Sequence, residues 1–74
     1  MSLHFDLRLV HEHLGFVEIR RIAPLDRADP GPDAICTYAV SRDFEQVGTV
    51  EHRYGDEAWK LLALATALLA EEAM

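Results

Sequence analysis

The sequence predicts an α+β domain, in which a four-stranded, mostly antiparallel sheet precedes one C-terminal helix that packs on one of its faces. Near the N-terminus apolar and polar residues alternate, which is typical of a strand with one buried face. Further short segments are rich in β-branched and aromatic residues. The chain ends in an apolar stripe at helical spacing. Its 74 residues suffice for a single small domain, spanning residues 1–74.

The first two strands are predicted to form a hairpin. Apolar and polar residues alternate in FDLRLV, and the segment FVEIRRIA follows at residues 16–23. A three-residue loop at 13–15 would place Leu9 opposite Ile19, with Gly15 in the left-handed conformation that glycine adopts at low cost. This register gives an apolar inner face made of Phe5, Leu7, Leu9, Val17, Ile19 and Ala23.

The third and fourth strands are predicted to form a second hairpin. The segment PLDRADPGPDA at residues 24–34 is a loop by its proline, glycine and aspartate content, and ICTYAVS follows it. RDFEQ reads as a turn and VGTVEHRY as the fourth strand. If Val40 lies opposite Gly48, Cys36 lies opposite His52. The inner face then gains Cys36, Tyr38, Val40, Val50, His52 and Tyr54.

The C-terminal segment, residues 55–74, is predicted to be an amphipathic helix with Asp56 as its N-cap. Its apolar stripe, which should cover the inner face of the sheet, consists of Leu61, Leu62, Leu64, Ala65, Leu68 and Leu69. The opposite side carries few charges and is rich in alanine, at Ala63, Ala67 and Ala70. Trp59 is expected at the border of the stripe.

Composition restricts the classes of function. The net charge of −6 disfavours non-specific attraction to nucleic acid or to an anionic membrane. The run LLALATALLA is too short to span a bilayer. Cys36 is the only cysteine, which excludes a disulfide within the chain and suits the reducing cytoplasm. A soluble cytoplasmic protein without a cofactor is therefore expected.

Two histidines in the segment HEH, together with Cys36, raise the alternative of a metal-binding protein or a Cys–His site. In the predicted registers His11, Cys36 and His52 all lie on the inner face, and imidazole and thiolate are good zinc ligands. A cysteine beside a histidine is also a possible nucleophile. No CxxC or HExxH spacing accompanies them, so the expectation is no metal and no enzymatic activity.

Two surfaces are candidates for binding a partner. The outer face of the sheet carries apolar residues that one helix cannot cover, namely Val10, Phe16, Ile22 and Ile35. The alanines at the back of the helix, Ala63, Ala67 and Ala70, permit close approach of a second helix. Either surface would suit a homodimer or an unidentified protein partner.

Strands leading into a C-terminal helix, over residues 16–72, resemble in architecture the later part of a double-stranded RNA-binding domain. The resemblance implies a nucleic-acid-associated regulator. The arginines that the sequence offers for such binding are Arg8, Arg20, Arg21, Arg42 and Arg53. The lysine cluster that such domains place at the start of the final helix is absent, and the stretch reads GDEAWK. The leading expectation is therefore a homodimeric protein-binding module: an accessory factor, inhibitor or antitoxin, of the kind that phages and mobile elements encode.

Overall fold

The computed structural model describes residues 5–26 and 29–72, with side chains described from Leu7 onward. It confirms the α+β class, with four strands and then one helix: β1 (Phe5–His11), β2 (Gly15–Ala23), β3 (Ile35–Arg42), β4 (Glu45–Arg53) and α1 (Ala58–Glu72). All three strand pairs are antiparallel, and the sheet order is β1-β2-β3-β4. The 24–34 loop therefore joins neighbouring strands, and β1 and β4 form the two edges.

The register predicted for the first hairpin is wrong by two residues. Leu9 lies opposite Val17 rather than Ile19, and β2 begins at Gly15, which pairs with His11. Two side-chain hydrogen bonds tighten the turn, since His11 Nδ1 accepts the backbone N–H groups of His13 (3.0 Å) and Leu14 (3.2 Å). Side chains repeat every two residues, so a two-residue shift leaves the predicted faces unchanged.

A bulge in β2 changes the inner face at one predicted position. Arg21 lies opposite Tyr38, but Ala23 lies opposite Thr37, so Ile22 is an extra residue between two pairs. Such an insertion reverses the alternation beyond it. Ala23 is accordingly exposed instead of buried. The side chain of Phe5, which the sequence placed on the inner face, lies outside the described part.

The second hairpin has the predicted register, with Val40 opposite Gly48 and Cys36 opposite His52. Its turn residues Asp43 and Phe44 both have positive φ, 50° and 72°, which is the pattern of a type I′ turn without glycine. The Asp43 N–H donates to the carbonyl of Phe16 (2.8 Å), and the Asp43 carboxylate accepts the Phe16 N–H (3.0 Å). These two hydrogen bonds tie the turn to the start of β2.

The core lies between the sheet and α1. The helix buries Leu61, Ala65 and Leu69, at spacings of four residues. They meet inner-face side chains of the two central strands, namely Val17, Ile19, Cys36, Tyr38 and Val40. The apolar stripe is narrower than predicted, because Leu64 is 44% exposed. The helix also begins later, and Asp56 accepts the N–H of Glu57 (2.8 Å), which precedes the first helical residue.

Replacement of Gly15 by alanine tests the link between the two turns. Gly15 has φ +84°, and a Cβ there would lie 2.8 Å from a carboxylate oxygen of Asp43, whereas Gly31, with φ +98°, has open space around it. We expect Gly31→Ala to lower the free energy of unfolding by about 1–2 kcal/mol through the left-handed backbone alone. Gly15→Ala should cost more, because Asp43 must also move. Urea denaturation measures both, and equal losses would contradict this role of Asp43.

Candidate functional site

The three residues of the possible metal or Cys–His site do not come together. Cys36 and His52 are opposite one another, at the start of β3 and near the end of β4. His11 pairs with Gly15 at the other end of the sheet, and its Nδ1 already accepts the N–H groups of the turn. Over residues 7–26 and 29–72, no group of three or more His, Cys, Asp or Glu side chains is placed to hold a metal ion.

His52 instead connects the sheet to the beginning of α1. Its Nε2 lies 3.2 Å from the carbonyl oxygen of Glu57, which can only accept, so Nε2 carries the proton and donates. The ring is 8% exposed and meets the Tyr38 ring edge-on, with centroids 6.1 Å apart. Its Nδ1 is buried without a hydrogen-bond partner. His52 therefore holds the residue that precedes the helix against β4.

Beside this junction an apolar groove of about 450 Å³ separates β4 from α1. The strand contributes Glu51, His52 and Arg53, the segment before the helix contributes Asp56, and the helix contributes Trp59, Lys60, Ala63, Leu64 and Ala67. Trp59 is 62% exposed and Leu64 44% exposed, so the helix presents large apolar side chains to solvent here. Ala63 and Ala67, whose side chains are small, also line the groove. Grouped apolar exposure of this kind marks a binding surface.

Charged groups surround the groove at the helix start. Lys60 Nζ lies 3.2 Å from the Asp56 carboxylate and 5.8 Å from the centre of the Trp59 ring, while the Trp59 indole N–H donates to the Glu57 carboxylate. The Glu57 N–H and, secondarily, the Lys60 ammonium hold the pKa of Asp56 below its ordinary value of 3.8. These interactions organise the exposed side of the first helical turn, where Trp59 projects.

A second apolar surface lies where the two hairpin turns meet. Val10 is 80% exposed and Phe44 is 81% exposed, and the Phe44 ring packs on that of Phe16 with centroids 5.3 Å apart. Val10 lies directly opposite Phe16. We call Val10, Phe16 and Phe44 the tip patch. Phe44 holds its exposed position through a positive φ that a non-glycine residue rarely adopts, and such strain is common at functional sites.

The structure divides the predicted partner-binding residues among several places. Val10 and Phe16 belong to the tip patch, whereas Ile35, which is exposed, and Ile22, which is half-buried in the bulge, lie toward the other end of the sheet.

On the helix, Ala63 and Ala67 line the groove, and Ala70 is exposed beyond it. Sequence reasoning missed Phe44 and Leu64. The signal for Phe44 was an aromatic residue inside a turn, where polar residues and glycine are usual.

The arginines that would serve nucleic-acid binding are matched with other groups. Arg8 lies opposite Glu18, and Arg42 lies opposite Glu45. The Arg21 guanidinium stacks 5.2 Å above the centre of the Tyr54 ring. These pairings leave no continuous basic stripe among these three side chains.

Comparison with known protein families, with curated proteins and with solved structures finds no match to this chain. The one helix of the described part is not long and apolar enough to cross a membrane.

Acid titration tests the arrangement at the helix start. Because the pKa of Asp56 is lower in the folded protein than its ordinary value of 3.8, ionised Asp56 stabilises the fold above that pH. This contribution should disappear as the pH falls from 3.8 through the folded-state pKa, and it should be missing in Asp56→Asn. Carboxyl NMR titration of Asp56 should also show its pKa rising in Lys60→Met. An Asp56 that titrates at its ordinary value in the native protein would contradict the geometry.

Proposed function

We propose that this protein is a non-enzymatic interaction module that forms a homodimer and binds another protein. The observation that carries the proposal is the groove between β4 and α1, where Trp59 and Leu64 stand exposed beside Ala63 and Ala67. Tryptophan is among the residues that contribute most to protein interfaces, because it buries a large rigid surface. A domain of this size also buries little apolar surface by itself, so covering the groove adds to its stability.

The two apolar surfaces suit different occupants. The groove adjoins an edge strand, to which a second copy can add a strand. It also adjoins a helix face, against which a second copy can pack. The tip patch is smaller and lies at the turn end of the sheet, away from the groove, so we assign it to the second protein. The net charge of −6 favours a partner with a basic surface.

These properties suit a cytoplasmic accessory factor, inhibitor or antitoxin, of the kind that phages and mobile elements encode. The geometry supports neither the nucleic-acid-associated regulator nor the metal-binding protein. Three of the arginines have partners within the chain: Arg8 faces Glu18, Arg21 stacks on the Tyr54 ring, and Arg42 faces Glu45. For the metal site, His11 lies far from Cys36 and His52 along the sheet.

Sedimentation equilibrium tests the role of the groove with two matched variants. Wild-type protein should show twice the 8.3 kDa mass of the chain. Ala63→Glu places a charge in the groove and should raise the dimer dissociation constant by about tenfold or more, since an unpaired charge is costly to bury. Ala70→Glu makes the same change at an exposed helix position outside the groove, so the dimer should persist.

A wild-type chain that sediments as a monomer at high concentration would refute the homodimer. If Ala70→Glu dissociates the dimer as effectively as Ala63→Glu, the groove is not the contact surface.

A further inference from the structure

The free edge of β4 offers backbone groups for pairing. The Tyr54 N–H donates to the carbonyl of Ala34 (2.8 Å), which orients residue 54 toward β3. Backbone groups alternate sides along a strand, so those of Thr49, Glu51 and Arg53 point away from β3, toward the open edge. The side chains of these three residues are exposed on the face opposite the helix. An edge with this geometry is a template for adding a strand.

Charge along this edge is complementary to itself. Glu51 and Arg53 lie two residues apart, and their partners on β3 are the uncharged residues Thr37 and Ile35. When a strand pairs antiparallel with a copy of itself, the position of the two-fold axis decides which residue of one copy lies opposite which residue of the other. A register centred on His52 sets Glu51 opposite Arg53 twice, whereas a register centred on Glu51 sets that carboxylate opposite its own copy. Opposite charges stabilise such a pair and like charges destabilise it.

We propose that two copies of the chain join β4 to β4 in antiparallel orientation, with His52 at the two-fold axis and Glu51 of each copy paired with Arg53 of the other. This inference rests on the proposed homodimer and specifies its interface. Glu51 and Arg53 exchange two backbone hydrogen bonds in each pair, since their N–H and carbonyl groups both face the edge. The sheet then continues through eight strands.

The position of the groove also supports a two-fold axis at His52. Among the described strand residues, Glu51, His52 and Arg53 line it. A two-fold axis at His52 therefore brings the grooves of the two copies together on the helix side of the joined sheet. Trp59 and Ala63 lie in the first two turns of α1, the part of the helix nearest to this axis, and each Trp59 can be covered by the other copy.

A charge-swap experiment tests the register. Glu51→Arg sets two arginines opposite each other at both pairs, and Arg53→Glu sets two glutamates there, so each variant alone should dissociate at least about tenfold more readily than wild type. Mixing the two variants restores both opposite-charge pairs. The equimolar mixture and the double variant Glu51→Arg/Arg53→Glu should therefore regain a dimer, measured by sedimentation velocity and by native mass spectrometry.

Charge controls and circular dichroism accompany these measurements. Glu71→Arg repeats the first change in net charge at an exposed site near the helix end, and it should leave the dimer intact. Unchanged spectra would show that the monomeric variants are folded. If wild type dimerises but Arg53→Glu has no effect, or the mixture stays monomeric, this register is wrong while the homodimer stands. If wild type is monomeric, both proposals fail.

Discussion

The hydrogen bond from His52 Nε2 to the carbonyl oxygen of Glu57 is the constraint on which the arrangement of β4 and α1 depends. The antiparallel pairing of β3 with β4 turns His52 inward, opposite Cys36, and the hydrogen bond then holds the start of the helix against the strand. Leu61, Ala65 and Leu69 consequently face the core, and Trp59 and Leu64 remain outside. The close approach of Leu68 to Gly48, where a Cβ would lie 3.1 Å from a methyl group, fixes the other half of the helix.

This arrangement covers the two central strands more completely than the edges. Val17, Ile19, Cys36 and Val40 are wholly buried, whereas β4 presents Thr49, Glu51 and Arg53 to solvent. A small domain has too little interior to hide all of its apolar surface. Apolar side chains that cannot enter the core collect beside the exposed edge and at the tip. The proposed self-association would use the apolar surface that this geometry leaves beside the open edge.

Periodicity in the sequence was sufficient to predict the elements, most of the inner faces and the β3–β4 register. It could not predict the register of the first hairpin, because the His11 ring closes that turn through hydrogen bonds that alternation does not encode. It also failed at Ala23, which follows a bulge. The groove combines Ala63 and Ala67, which the pattern identified, with Glu51 and Arg53, whose role depends on where the helix crosses the strand.

Amide hydrogen exchange by NMR, at protein concentrations above and below the dimer dissociation constant, measures the central claim directly. In the paired sheet the N–H groups of Glu51 and Arg53 donate to the second copy, so their exchange should slow markedly as the concentration rises. The N–H of Tyr54 already donates to Ala34 and should change little. Slow exchange of Glu51 and Arg53 that depends on concentration supports β4 as the joining strand. Rapid exchange of both amides in a sample shown to be dimeric would contradict it.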